Sequence, residues 1–270
     1  MKTIYIYACI ITSIALIYSC SKLSLNSSTD TTEENSISEF LFNDIYAIVD
    51  EKAKSTDDSI SISTSNCPSV SISYIDTITK QRNIIFDFGD DCIGADGRSR
   101  SGKILVAIDG IYSVSGTRAT ISLDNYYVNN YKIEGQKEIT NTSYISGGNN
   151  PSFSVAVTEG KISTPDGKTL SWDNSRNYEW VEGSNTPTYI WDDVYNITGS
   201  SSGVNSEGRS YTITITDQLE KQMSCRWVNS GAMQIQPEGL NTRIIDFGDG
   251  TCDNDAVVSI KKRSYNIKLF

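Results

Sequence analysis

From Cys67 onward the chain alternates apolar and polar residues in short runs. Val70-Ser71-Ile72-Ser73-Tyr74, Phe153-Ser154-Val155-Ala156-Val157 and Tyr211-Thr212-Ile213-Thr214-Ile215-Thr216 all follow this rule. Successive strand side chains point to opposite faces, so a period of two marks a strand with one face buried and one in water. Turn residues separate the runs: Val114-Ser115-Gly116, Thr164-Pro165-Asp166-Gly167, Glu207-Gly208, Pro237-Glu238-Gly239 and Asp249-Gly250. Pro165-Asp166-Gly167, between Ile162 and Leu170, is a hairpin signal in its own right. The pattern predicts about a dozen strands joined by short turns, hence an antiparallel meander. So many strands must curl, split or close to avoid a long flat edge. The expectation is a mainly β fold of curved sheets or a β-roll, with a two-module β-sandwich as the alternative.

Ahead of the strands the period changes. Ile37, Leu41, Ile45 and Ile48 recur at helical spacing, with Phe40 and Val49 widening the stripe, and Ser36-Ile37-Ser38-Glu39 has capping-box spacing. This predicts one helix over about 37–53, packed on the sheet. Residues 20–35 read as a flexible tether and Asp57 to Ser65 as a polar linker.

The first 19 residues have a different character. One positive charge, Lys2, precedes an apolar run from Ile4 to Tyr18 that is short for a membrane span of roughly 20 residues. The run ends in Ile17-Tyr18-Ser19-Cys20, which resembles a bacterial lipobox. Residues 1–19 are expected to be a removed lipoprotein signal peptide, and Cys20 the lipid attachment site. Acyl chains at about 0.8 kcal/mol per buried methylene would then hold the chain to a membrane.

Two segments echo each other. Cys67 is followed by Ile84-Ile85-Phe86-Asp87-Phe88-Gly89-Asp90-Asp91-Cys92, and Cys225 by Ile244-Ile245-Asp246-Phe247-Gly248-Asp249-Gly250-Thr251-Cys252. Each has a cysteine, a β run, an aliphatic pair, Asp-Phe-Gly-Asp and a second cysteine. A further strand follows each, Lys103 to Ile108 and Ala256 to Ile260. With Cys9 and Cys20 of the leader and lipid site set aside, four of the six cysteines remain and allow three pairings. The repeat selects Cys67–Cys92 and Cys225–Cys252, oxidised in an envelope compartment. Residues 36–270 then form the β-rich domain, with related repeats over about 66–150 and 151–270.

These blocks, with Gly102-Lys103-Ile104, Leu123-Asp124-Asn125-Tyr126-Tyr127-Val128, Gly160-Lys161-Ile162, Pro165-Asp166-Gly167-Lys168 and Trp191-Asp192-Asp193-Val194-Tyr195, resemble a family of uncharacterised Bacteroidetes lipoproteins. The resemblance spans most of residues 66–270. It implies an envelope lipoprotein and brings no catalytic residues.

Composition narrows the function. The chain has no histidine, which excludes Ser-His-Asp and Cys-His catalysis and imidazole-bound zinc. Its 33 Asp+Glu against 23 Lys+Arg give a net charge of −10, which argues against nucleic-acid binding. Asp87, Asp90, Asp91 and Asp96, and Asp246, Asp249, Asp253 and Asp255, gather at turns, where they either cap the backbone or offer oxygens to calcium. Capping is the favoured reading, so no metal or other cofactor is assigned. The aromatics Trp172, Tyr178, Trp180, Tyr189, Trp191 and Tyr195 form a weak candidate ligand-binding set, through sugar stacking, or else pair across strands. Asp30-Thr31-Thr32, Asp58-Ser59-Ile60 and Asp76-Thr77-Ile78 resemble O-glycosylation acceptors, the first two placed in linkers.

The function expected is a non-enzymatic, lipid-anchored protein of the cell outer membrane with a binding or scaffolding role. Its partners would be the membrane and a glycan or another envelope protein. A glycan- or ligand-binding module using the 172–195 aromatics, and a hydrolase using paired carboxylates, are the alternatives.

Overall fold

The computed structural model describes residues 27–58, 67–143 and 150–270. The leader, Cys20 and Ser59 lie outside these residues. Among the described residues one α-helix, α1 (Asp30–Asp58), precedes fourteen strands: β1 (Ser69–Asp76), β2 (Gln81–Asp87), β3 (Cys92–Ile93), β4 (Ser99–Ile108), β5 (Arg118–Val128), β6 (Tyr131–Asn141), β7 (Ser152–Ser163), β8 (Thr169–Glu182), β9 (Val194–Val204), β10 (Ser210–Gln222), β11 (Ser230–Pro237), β12 (Arg243–Asp249), β13 (Asp255–Ile260) and β14 (Arg263–Lys268). They form one antiparallel sheet in chain order, with β3 paired to β4 beside the main path. The fold is therefore mainly β, an antiparallel meander with one N-terminal helix. The sheet stays open, with β1 and β14 as its edges. It neither closes into a roll nor splits into two sandwich modules. Pairing of β6 with β7 runs from Lys132↔Ser163 to Asn141↔Phe153, so the sheet continues across residue 150.

The period-two pattern sorts the faces as anticipated. In β8, Leu170, Trp172, Asn174, Arg176, Tyr178 and Trp180 are buried, with more exposed residues between them. The buried face meets α1, which runs along β8. Trp172 Nε1 donates to Asn35 Oδ1 (3.0 Å) near the start of the helix. Tyr178 stacks on Tyr46 at 4.9 Å, and Trp180 lies 3.7 Å beneath Lys54 Nζ toward the end.

The sheet must arch to do this. Strands sit about 4.8 Å apart and a helix with side chains is about 10–12 Å wide. A flat sheet would carry β2 and β12 out of reach of a helix lying on β8. Yet Arg82 of β2 donates to Ala53 O (3.0 Å), and Arg243 of β12 to Ser28 O (3.1 Å). Bulges supply the bend. They interrupt β4 between Ser101 and Lys103, β6 between Glu134 and Gln136, and β11 between Ser230 and Ala232. Gly102 fills the first at φ +78°, where a Cβ would lie 2.0 Å from Asn125 O. Only glycine fits there.

The helix is longer than expected. The chain over 30–35 is helical rather than a tether, and Thr31, Thr32 and Asn35 are buried. Ser36 is not the cap; its hydroxyl donates back to Glu33 O at 2.7 Å. Asp30 and Glu33 instead place charge in the first turn, which suits the helix dipole. Tertiary bonds hold this polar turn: Asn205 Nδ2 donates to Thr31 Oγ1 (3.2 Å), and the Ser206 N–H to Glu34 Oε2 (3.0 Å). The burial of Thr31 closes the first O-glycosylation acceptor to an enzyme, whereas Thr77 is exposed in the β1–β2 turn.

Both disulfides form as the repeat selects, Cys67–Cys92 and Cys225–Cys252. The repeated blocks occupy the two flanks of the sheet. Their correct frame is set by Asp-Phe-Gly-Asp, not by the aliphatic pairs. Ile84, Phe86 and Phe88 are buried in the first block, and Arg243, Ile245 and Phe247 in the second. Ile85 and Ile244 face solvent. Superposing Ile84-Ile85 on Ile244-Ile245 would slip one residue and reverse the faces.

Candidate functional site

The six aromatics singled out by sequence do not share a surface. Trp172, Tyr178, Trp180 and Tyr195 are buried against α1. Trp172 stacks on Phe42 at 5.2 Å, and Tyr195 meets Tyr46 edge-on at 5.9 Å. These four are core, and their faces are not available to a sugar. Tyr189 and Trp191 are 56% and 54% exposed, on the β8–β9 connection beside a 3-10 turn (Ile190–Asp192).

The carboxylates at the Asp-Phe-Gly-Asp turns bond their own backbone. Gly89 N–H donates to Asp87 Oδ1 (3.0 Å), Gly248 N–H to Asp246 Oδ1 (2.9 Å), and Asp255 N–H to Asp253 Oδ1 (2.8 Å). The turn thus occupies oxygens that a cation would need. Among the described residues no group of three or more acids or cysteines is placed to hold a metal ion.

What sequence reading missed is a set of charges between the helix and the sheet. Lys54 Nζ sits 2.8 Å from Asp50 Oδ2, 2.9 Å from Asp193 Oδ2 and 2.8 Å from Tyr195 Oη, all buried. Burial pushes the Asp193 carboxyl up to about 6 against the opposing pull of Lys54. Arg100 binds Asp44 (2.7 Å) and Asp96 (2.6 Å), and Arg176 binds Glu39. Arg82 reaches Thr56 Oγ1 (3.0 Å) and Asp57 (2.9 Å). Polar helix residues therefore face the sheet as well as apolar ones, which a hydrophobic stripe cannot reveal.

Lys137 differs from these. It is buried, and its Nζ donates to Phe42 O at 2.7 Å with no acid bound to it among the described residues. Burial pulls its pKa down to about 7, against a weaker opposing effect of Glu39. Its folded value lies below the ordinary 10.5, so the folded chain binds fewer protons and gains stability as pH climbs from about 7 to 10.5. Lys137→Met should raise stability at pH 7 by about 1–3 kcal/mol and flatten that rise. Urea midpoints at pH 7 and 10 will show both effects.

A small cleft lies beside the helix, with about 40 Å³ of water-accessible space between α1 and the β10–β12 flank. Phe40, Trp227, Met233, Ile245, Phe247 and Phe270 form its apolar walls; Glu39, Asn43, Lys221 and Arg226 supply polar groups. The walls come from remote parts of the chain. Phe40 packs edge-on to Phe270 at 5.2 Å, Phe270 against Tyr131 at 4.9 Å, and Trp227 Nε1 donates to Phe270 O at 2.9 Å. The Arg226 guanidinium lies 4.6 Å over the Phe40 ring and 5.4 Å from that of Trp227. Lys221 Nζ donates to Gln222 O (2.9 Å) and Cys225 O. Burial first, then the Arg98 charge, brings Lys221 down to about 7. Neither Lys221 nor Arg226 has a carboxylate within ion-pair distance among the described residues. The Cys225–Cys252 bridge adjoins this wall, the one hint in the sequence that the region is built to be firm.

No protein-family model, no curated protein and no solved structure matches this chain.

Proposed function

We propose that this chain is a non-enzymatic, lipid-anchored protein of the bacterial outer membrane whose role is binding, with the cleft beside Phe40 as its ligand site. The lipobox-like Ile17 to Cys20 supports the anchor, and the likeness to Bacteroidetes lipoproteins supports the envelope. Two disulfides suit an oxidising compartment. The observation that carries the binding role is the cleft itself. It pairs apolar walls with a few convergent polar groups. Asp50 and Asp193 share Lys54, and Asp44 and Asp96 share Arg100, so these neighbouring acids are neutralised by the protein itself, which favours binding over carboxylate hydrolysis.

Native mass spectrometry of the protein released gently from its own envelope tests this reading. A bound small molecule should accompany the protein and be lost from Met233→Trp, whose larger side chain fills the cleft. Wild-type protein free of any adduct, or an adduct retained by that variant, refutes the site. The anchor is tested separately: Cys20→Ala should move the protein from the membrane to the soluble fraction.

A second reading rests on Tyr189 and Trp191, the two candidate aromatics with exposed faces. Glycan binding there should disappear in Trp191→Ala while the Met233→Trp variant retains it.

A further inference from the structure

We infer that the Lys261-Lys262-Arg263 turn docks on anionic phospholipid head groups of the bilayer that holds the chain's own anchor. This rests on the lipid anchor proposed above and is independent of the cleft.

In a chain of net charge −10, surface cations are mostly matched by acids. Lys103 sits 2.8 Å from Asp87, Lys132 3.0 Å from Glu134 and Lys168 3.4 Å from Asp166. Lys261, Lys262 and Arg263 break this rule. They follow one another at the tight turn between β13 and β14, closed by the Ile260↔Arg263 pair. All three are exposed, and none has an acid within ion-pair distance among the described residues. Three like charges side by side repel one another, and no carboxylate of the fold relieves them. They remain available to an anion outside the protein.

Position decides which anion. Arg243, at the start of β12, donates to Ser28 O at 3.1 Å. Ile244 pairs with Ser259, so the turn projects from the sheet just beyond Arg243. The basic turn therefore lies beside the place where the chain arrives from Cys20. From Cys20 to Ser28 the chain can reach at most about 29 Å. An acylated Cys20 keeps this end of the domain next to lipid. Arg209 shares the end, its guanidinium donating to Glu238 O at 3.1 Å. Asp30, Glu207 and Glu238 are exposed there as well, so the basic patch is the β13–β14 corner and not the whole end. The opposite end lies about 43 Å away along α1. Its turns expose Ile78, Val114, Tyr189 and Trp191 and carry no run of cations among the described residues. Each Lys or Arg at an anionic surface strengthens binding about fivefold, so three give about a hundredfold. That is too little to hold a free protein on a bilayer and enough to orient one already tethered there. The Trp191 end then points away from the membrane.

Lysine footprinting tests this. The lipidated protein is placed in phosphatidylcholine nanodiscs with and without phosphatidylglycerol, acylated briefly with an amine-reactive reagent, and read lysine by lysine by mass spectrometry. Labelling of Lys261 and Lys262 should fall about fivefold in the anionic discs. It should recover in about 1 M salt, where the Debye length is about 3 Å. Lys80, in the β1–β2 turn at the far end, should label equally in both. Arg263→Gln, an exposed change, should return part of the lost labelling. Equal labelling of Lys261 and Lys262 in the two discs, or a fall that survives the salt, would overturn the docking. A matching fall at Lys80 would overturn the orientation. Protection by lipopolysaccharide discs and not by phosphatidylglycerol would overturn the phospholipid as the partner. The anchor fails differently: a protein with no acyl mass on Cys20 would not enter the discs. An acylated protein in the discs without a charge-dependent footprint refutes the turn alone.

Discussion

Reduction of both disulfides is expected to lower stability by about 6–7 kcal/mol, roughly 3 kcal/mol from each closed loop of 25 and 27 residues. That approaches the whole stability of many domains, about 5–15 kcal/mol. The bridges span Cα–Cα separations of 5.5 and 5.6 Å. They act on different parts of the molecule. Cys67–Cys92 ties the chain entering the edge strand β1 to β3, where pairing is on one side only. Cys225–Cys252 ties the β10–β11 connection, which carries Arg226 and Trp227, to the β12–β13 connection. Urea unfolding of Cys67→Ala/Cys92→Ala and of Cys225→Ala/Cys252→Ala will separate them. Each pair should lose about 3 kcal/mol. The second should also loosen the cleft wall and broaden the Trp227 emission; the first should not. A midpoint unmoved by reductant would mean that the arch is held by its core alone.

The strands were legible because half-burial writes a period of two into the sequence, and the hairpin turns are local chemistry. The disulfide pairing was legible because two flanks of one sheet reuse one block. The frame of that block was not legible from its aliphatic pairs, since a one-residue slip preserves composition while reversing the faces. The helix start at Asp30 was hidden for a related reason. Thr31, Thr32 and Asn35 carry little helical propensity, and the bonds of Thr31 to Asn205, of Glu34 to Ser206 and of Asn35 to Trp172 span more than 130 positions. Counting aromatics between 172 and 195 left sugar stacking and cross-strand pairing both open, because composition does not say that Trp172, Tyr178, Trp180 and Tyr195 turn inward while Tyr189 and Trp191 turn outward. The cleft was least accessible to sequence. Phe40, Tyr131, Trp227 and Phe270 share no motif; an arched sheet brings its two flanks to one turn of the helix. Arg98, near the start of β4, and Arg226, beyond β10, meet over the same Phe40 ring at 4.5 and 4.6 Å.

Lys54→Met is expected to cost about 3–5 kcal/mol at neutral pH, because it strands two buried carboxylates. Asp50 would retain Tyr112 Oη at 2.9 Å and Tyr195 Oη at 3.2 Å, whereas Asp193 Oδ2 would lose its lysine donor. The sign of the pH dependence follows from Asp193. Burial raises its folded value to about 6, above the ordinary 3.8. The folded chain therefore holds this proton more tightly than the unfolded chain. The resulting stabilisation is fully present below about pH 4 and is lost as pH rises through 6. Removing the Lys54 cation takes away an influence that lowers the Asp193 value, so in the variant the loss moves to higher pH. The deficit of Lys54→Met relative to wild type should accordingly be large at pH 8 and shrink at pH 5, where the Asp193 carboxyl of the variant is protonated. Lys54→Met/Asp193→Asn should regain part of the loss at pH 8, since the amide carries no charge to bury. Urea midpoints for the three proteins at pH 5 and 8 decide it. An equal deficit at both values would show that Lys54 acts by packing on Trp180, whose ring centroid lies 3.7 Å from its Nζ, and not by neutralising the acids.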